Sequence, residues 1–183
     1  LVGWTQDAVA SQFTLEEANS VTLPLNAVDG VSYATTVLPF NATFAAGTEV
    51  LALSKQEGTT TLTEQAISGV LAKNVPVLLR NNSGATSVVV TPSNEVGTTP
   101  SANSLVAQML SATAPVAATD FVLGKFEGAV GFFHYTGTLG ANKAYISGAA
   151  SNARGFVLPG QGTTTGIANV TKTNAETAIY DLQ

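Results

Sequence analysis

The apolar residues of this chain come in short, β-branched runs, each closed by turn formers. VTLPL (Val21–Leu25), YATTVLPF (Tyr33–Phe40), VLAL (Val50–Leu53), VPVLLR (Val75–Arg80) and SVVVT (Ser87–Thr91) make up the first half. FVLGKF (Phe121–Phe126), GFFHYTG (Gly131–Gly137), KAYIS (Lys143–Ser147) and GFVLP (Gly155–Pro159) continue the series. Between them stand Asp29-Gly30, NNSG (Asn81–Gly84), PSNEVG (Pro92–Gly97) and PGQG (Pro159–Gly162). Runs of this length and composition are strand signals, and the interruptions are turn signals. Many short strands with frequent turns fold as a sandwich or a barrel.

One phrase occurs three times. FAAGTEVLA (Phe44–Ala52), LAKNVPVLL (Leu71–Leu79) and LGANKAYIS (Leu139–Ser147) each open on a large apolar residue. Three positions on stands Gly47, Asn74 or Asn142, and three further on Val50, Val77 or Tyr145 begins an apolar stretch. Gly, and less readily Asn, tolerate the left-handed backbone that costs other residues about 1–2 kcal/mol. The shared slot therefore predicts a tight turn that launches a strand. Phe44, Leu71 and Leu139 pin the turn to the core, and the common register assigns Tyr145 to the core like Val50 and Val77. Pro76 holds Val75 extended, as strand entry requires. Val77 to Val88 and Tyr145 to Phe156 are both eleven-residue intervals that run strand, turn, strand. They predict a duplicated hairpin in two pseudo-repeated halves, about 13–97 and 98–170.

Two segments carry a competing signal. Thr61–Leu71 has a capping-box pattern in Thr61 and Glu64, and Ser104–Ala114 places Leu105, Val106, Met109 and Leu110 at helical spacing. At 183 residues the chain is long enough for one sizeable domain, burying roughly 70% of the unfolded surface. The expected fold is a single all-β domain over 1–183, an antiparallel β-sandwich of jelly-roll-like form with little or no helix.

Composition narrows the function. Only 10% of residues are charged, against about 25% in an average globular protein. Thr, Ser, Asn and Gly take their place, a surface suited to β proteins that work outside the cell. A net charge of −5 with seven scattered Lys and Arg provides no basic face for nucleic acid or anionic lipid. There is no Cys, so disulfides and thiolate chemistry are excluded. No apolar run approaches the ~20 residues of a membrane helix. The chain begins at Leu1 rather than Met, which reads as a mature product whose export signal is absent from this sequence.

TLGANKAYIS with ARGFVL (Ala153–Leu158) behind it, and GFFHYTG ahead of it, resembles a module of secreted and surface proteins of gut Bacteroidota. Those modules carry "GFYK" and "IPANKAYL" phrases at their C-terminal end. VSYATTVLPFNATF (Val31–Phe44) is similar to their "YATLYLPF" opening, and VLAKNVPVLL (Val70–Leu79) to their "IPANTPVVL" segment. The resemblance covers about residues 13–170. It departs at Leu139-Gly140, where the modules have Ile-Pro. It implies an exported all-β accessory module appended to larger adhesins, glycosidases or lectin-like chains. It also tips both ambiguous segments toward strand, and it names no active site.

The residues themselves offer little chemistry. His134 is the single histidine, placed in a strand between Phe133 and Tyr135, and reads as structural. A triad would need it, and no G-x-S-x-G elbow is present. Glu16 with Glu17, and Asp120 with Glu127, read as solvated or turn-capping carboxylates rather than a glycosidase pair. No EF-hand loop occurs, which leaves only a calcium site built from backbone carbonyls, and sequence cannot reveal that. Arg80 and Arg154, the two arginines, read as ion-pair or turn contacts. Asn41-Ala-Thr, Asn81-Asn-Ser and Asn169-Val-Thr match the eukaryotic glycosylation sequon.

The expected function is a non-catalytic extracellular accessory or adhesion module without metal or cofactor, partnered by neighbouring domains of the same polypeptide. The alternative is a carbohydrate-binding module that stacks sugars on exposed aromatics. Its candidate residues are Trp4, Phe132, His134 and Tyr135, with Phe132 and His134 on one face of their strand and Phe133 and Tyr135 on the other.

Overall fold

A computed structural model describes residues 2–6, 13–17, 19–56, 59–109, 119–135, 137–148, 153–161 and 180–181 of the chain. Every regular element among them is a strand, and no helix there is long and apolar enough to cross a membrane. The strands are β1 (Val2–Gln6), β2 (Phe13–Glu17), β3 (Val21–Pro24), β4 (Asn26–Val28), β5 (Val31–Thr36) and β6 (Ala42–Phe44). They continue as β7 (Thr48–Lys55), β8 (Leu62–Ala66), β9 (Val77–Asn81), β10 (Ser87–Pro92) and β11 (Leu105–Gln108). The last are β12 (Phe121–Phe126), β13 (Ala129–His134), β14 (Lys143–Ile146), β15 (Gly155–Val157) and β16 (Tyr180–Asp181).

These strands pair antiparallel in four sheets. A five-stranded sheet runs β4-β5-β9-β7-β8, and a six-stranded sheet runs β11-β14-β12-β13-β15 with β16 also on β12. A three-stranded sheet runs β3-β10-β6, and β1 pairs only with β2. The five- and six-stranded sheets form a sandwich. Tyr33, Leu51, Leu53 and Leu78 from one meet Phe121, Leu123, Phe132, Ile146 and Phe156 from the other in a single buried cluster. Its side chains come from both halves of the chain.

The five-stranded sheet has a second buried face. Ala34, Val50, Ala52, Val77 and Leu79 point away from the sandwich and pack against Leu25, Ala42, Val88 and Val90 of the small three-stranded sheet and its flanks. This explains the continuous apolar runs. In β7 four consecutive residues, Val50 to Leu53, are buried, because successive side chains enter different cores. Antiparallel sheets usually keep one face in water and alternate accordingly. The outer strand β10 does so: Val88 and Val90 are buried, whereas Ser87, Val89 and Thr91 are exposed.

The layers are stitched at both edges of the sandwich. On one side the Val157 amide donates to the Thr60 carbonyl at 2.8 Å, and Thr61 bridges Val157, joining the entry of β8 to β15. On the other, β9 pairs with β7 only as far as Leu51, and Pro76 precedes β9. The approach to β11 takes over there. The Ser104 amide donates to the Leu53 carbonyl at 2.6 Å. Asn103 completes the join: its Oδ1 accepts from the Leu53 and Leu105 amides, and its Nδ2 donates to the Pro76 carbonyl at 2.8 Å. A side chain thus supplies a rung that no strand residue provides.

The repeated slot has the backbone that its residue types imply. Gly47, Asn74 and Asn142 have φ of +86°, +62° and +58°, and each immediately precedes or leads into a strand. Two of these turns grip the same connector. The Asn74 amide donates to the Leu38 carbonyl at 2.7 Å, and the Val37 amide donates to the Asn142 carbonyl at 3.2 Å. Nearby, the Ala144 amide donates to Thr35 Oγ1. Asp29-Gly30 and Glu127-Gly128 have positive φ at both residues and close two-residue hairpins, the geometry whose twist suits flanking strands.

Two sequence expectations change. The eleven-residue intervals are not hairpins: β9 and β10 lie in different sheets, and β14 and β15 share a sheet without pairing. Local spacing records a strand, a turn and a strand, but the partners are chosen by distant residues. The two segments with a competing helical signal turn to strand, as the resemblance implied: Thr61–Leu71 contains β8, and Ser104–Ala114 contains β11, its residues from Leu110 onward lying outside the described set. There the sandwich offers each segment an edge to pair with, which overrides weak helical spacing. Tyr145 is half-buried rather than core. Its strand belongs to an outer layer, where Ala144 and Ile146 take the inner face and Tyr145 the opposite one.

Asn142→Gly should leave the melting temperature nearly unchanged, whereas Asn142→Val should lower stability by about 1–2 kcal/mol. Equal thermal midpoints would refute the turn requirement. Asn103→Ala removes three hydrogen bonds at the closing edge and should cost about 2–3 kcal/mol in urea unfolding at constant m-value.

Candidate functional site

The main charged cluster among the described residues crosses one end of the five-stranded sheet. Register places Tyr33 opposite Arg80, and Arg80 opposite Glu49, so three polar side chains stand in a row. Glu64 joins them from β8, on the same face, opposite Leu53. Arg80 bridges both carboxylates: Nε lies 2.5 Å from Glu49 Oε2, and Nη1 lies 2.7 Å from Glu64 Oε1. The guanidinium and Glu64 are largely buried, while 43% of the Glu49 side chain remains exposed. Asn82 Nδ2 donates to the other Glu49 oxygen, Oε1, at 3.3 Å.

Electrostatics follow from this packing. Burial by itself lowers the Arg80 pKa, but hydrogen bonds and attraction from Glu64 and Glu49 outweigh it and raise the value. Tyr33 is 2% exposed, and burial pushes its phenol above the ordinary range despite the nearby Arg80 charge. Gln161 Nε2 donates to the Tyr33 hydroxyl at 3.1 Å, and Gln161 Oε1 accepts from the Val130 amide. This row therefore links the two sandwich sheets through uncharged groups at its rim. Lys125 and Asp29 add an ion pair at 2.7 Å.

A cleft of about 320 Å³ opens where β8 leaves the edge of β7. Phe44, Thr48, Glu49, Val50, Ile67, Ser68 and Gly69 line it. A smaller cleft of about 180 Å³ lies between Pro24, Thr36 and the Asn142 turn. Among the described residues, no three His, Asp or Glu side chains converge as a metal site would require.

The aromatic strip is arranged differently from the sugar-stacking expectation. Phe132 is fully buried in the sandwich core, opposite Leu123, and has no face to offer a ligand. Phe133 is buried on the other side of the strand. Both faces of this sheet are covered here, so alternation exposes neither phenylalanine. His134 lies on Phe121, ring centroids 4.2 Å apart, with Nδ1 and Nε2 facing the Asp120 and Ala153 carbonyls at 3.3 and 3.2 Å. It bridges two chain segments as a structural residue. Tyr135 is half-buried and folds against Gly137, where any side chain would collide with its ring. The Trp4 side chain, Glu16, Glu17 and Asn169 lie outside the described side chains, although Trp4 belongs to β1.

The other singled-out residues serve turns. Asp120 Oδ1 accepts from the Gly148 amide, and Glu127 occupies a left-handed turn position. Asn41 Nδ2 donates to the Glu95 carbonyl while its Oδ1 accepts from the Lys73 amide. Asn81 is buried and receives Ser83. Both sequon asparagines therefore brace loops.

Sequence reasoning anticipated an ion pair for Arg80 but missed its two partners. Cross-strand neighbours thirty-one and sixteen residues away leave no local spacing signal. No family model matches the chain, and no curated protein or solved structure compared with it does either.

Tyr33 yields a test in alkali. Its folded pKa lies above its unfolded value of about 10.0, so the folded state holds the proton more tightly. The stabilisation is complete below that pH and is lost as pH rises through the folded value. Tyr145, also raised by burial, adds to the loss. Tyr33→Phe should flatten the decline in urea midpoint above about pH 10 while lowering neutral-pH stability by about 1 kcal/mol for the lost Gln161 bond. An unchanged alkaline slope would contradict the assignment.

Proposed function

We propose that this chain is a non-catalytic accessory or adhesion module of an exported bacterial protein, which spaces or displays a partner domain. One observation carries the reading: among the described residues, His134, Arg80, Asp120 and Lys55 are engaged in joining chain segments. His134 faces two backbone carbonyls, Arg80 holds two carboxylates, Asp120 caps Gly148, and Lys55 Nζ donates to the Ser147 carbonyl at 2.9 Å. Layers closed at both edges suit a module that must keep its shape between neighbours. The sparse charge, the Thr/Ser/Asn-rich turns and the resemblance to Bacteroidota surface modules support the same reading. The second reading, carbohydrate binding, draws no support from the Phe132–Tyr135 strip and needs another site.

Surface biotinylation of Bacteroidota cells that produce the full parent protein with an epitope tag should label it. The purified chain should turn over none of a panel of glycosidase, esterase and peptidase substrates. Cytoplasmic retention, or a turnover abolished by Glu64→Gln, would overturn the proposal.

A further inference from the structure

We infer that the outward face of the three-stranded sheet is a weak contact for a second copy of this chain. The inference rests on the adhesion reading above and names the partner for it. Alternation sets the face. In β10, Val88 and Val90 point into the core, so Ser87, Val89 and Thr91 point out. Register brings Thr22 of β3 beside Val89, Pro24 beside Ser87, and Thr43 of β6 beside Thr91. Their strand neighbours Leu23, Ala42 and Phe44 belong to the buried cluster or pack on it, so Thr22, Pro24 and Thr43 share the outward face. Among the described residues the exposed large hydrophobics are Val89 and Val96, and Val89, at 45%, is the one within a strand. It is held there. β3 and β6 flank β10 on its two edges, and the Ala45 amide donates to the Val89 carbonyl at 2.9 Å. With both edges of the strand taken, the face is what it offers.

The chemistry of the face selects its occupant. None of the residues in β3, β6 and β10 is charged, so two copies can bring these strands together without opposing like charges. A Ser or Thr hydroxyl is both donor and acceptor, so a hydroxyl-bearing row can bond to its own copy, which a row of carboxylates or ammonium groups cannot. The β10 row also reads the same in polarity from either end: Ser87, Val89, Thr91. A two-fold axis running across the strands sets Val89 on Val89 and Ser87 against Thr91, an isologous contact. Sheets stack about 10 Å apart with strands aligned to within about 30°, and side chains interdigitate across that gap. Area then sets the strength. Three strands about 4.8 Å apart, the central one running from Ser87 to Thr91 on this face, present roughly 200 Å². A stable complex covers about 800 Å² on each partner. The single contact is therefore weak, and it gains strength where many copies stand side by side on one surface. That suits a displayed module and does not suit a permanent dimer.

Sedimentation equilibrium and amide chemical-shift dilution of the full chain, from micromolar to millimolar concentration, test this. The expected result is an average mass that rises with concentration and shifts confined to Thr22, Thr43 and Ser87–Thr91. Val89→Lys should weaken the association at least about tenfold without changing the melting temperature. Thr91→Lys, on the same outward row, decides the matter if Val89→Lys unfolds. An equimolar mixture of Val89→Lys and Val89→Glu should associate again, because the axis sets one residue over the other. A chain that stays monomeric at millimolar concentration, shifts centred on Val96 or elsewhere, undiminished association of Val89→Lys, or no recovery in the mixture would overturn the contact. A parent protein that is labelled at the surface while its isolated chain stays monomeric defeats the self-contact alone, and cytoplasmic retention defeats the adhesion reading, so the two failures are distinguishable.

Discussion

Burial of the five-stranded sheet on both faces is the constraint on which the molecule depends. A sheet between two apolar layers has no solvent side to satisfy stray polar groups, and each unpaired backbone group costs about 1–3 kcal/mol. Its strands must therefore be apolar at consecutive positions, as Val50–Leu53 and Val77–Leu79 are. Its ladder must also be complete. Where Pro76 ends the β9 contribution, Asn103 and Ser104 supply the missing donors and acceptors from the segment leading into β11. Ser32 Oγ is the single buried side-chain polar atom left without a partner among the described residues.

That demand accounts for how the chain's few polar side chains are distributed. Arg80, Glu49 and Glu64 stand at the end of the double-faced sheet, where the apolar row gives way to the rim. Gln161 and Tyr33 close the same end with neutral groups. His134 and Asp120 hold the opposite segments of the six-stranded sheet. An ion pair at an exposed site contributes little, but a guanidinium shared by two carboxylates over a core edge specifies register as well. The architecture thus directs chemistry-bearing residues toward structure, and leaves Glu49 as the member of the triad most open to solvent.

The tight turns connect local chemistry to this architecture. The slot held by Gly47, Asn74 and Asn142 reverses the chain within a few residues and delivers strands β7, β9 and β14. Because the Asn74 and Asn142 turns both bond to the Val37–Leu38 connector, they also lock three layers at one point. A substitution there affects more than the local backbone.

The sequence by itself determined the all-β character, most strand positions and the left-handed turns. These depend on the torsional preferences of single residues and on period-two patterning over a few positions. Asn74 and Asn142 are legible because their own side chains tolerate positive φ wherever the strands go. Only the tertiary structure decided which strands pair, that a third sheet covers the back of the sandwich, that Tyr145 faces outward while Val77 is core, and that Phe132 is buried rather than exposed. It also brought Glu49, Glu64 and Arg80 together. Those outcomes depend on contacts between residues far apart in the chain, and an apolar residue reads the same whether one face or both faces of its sheet are covered.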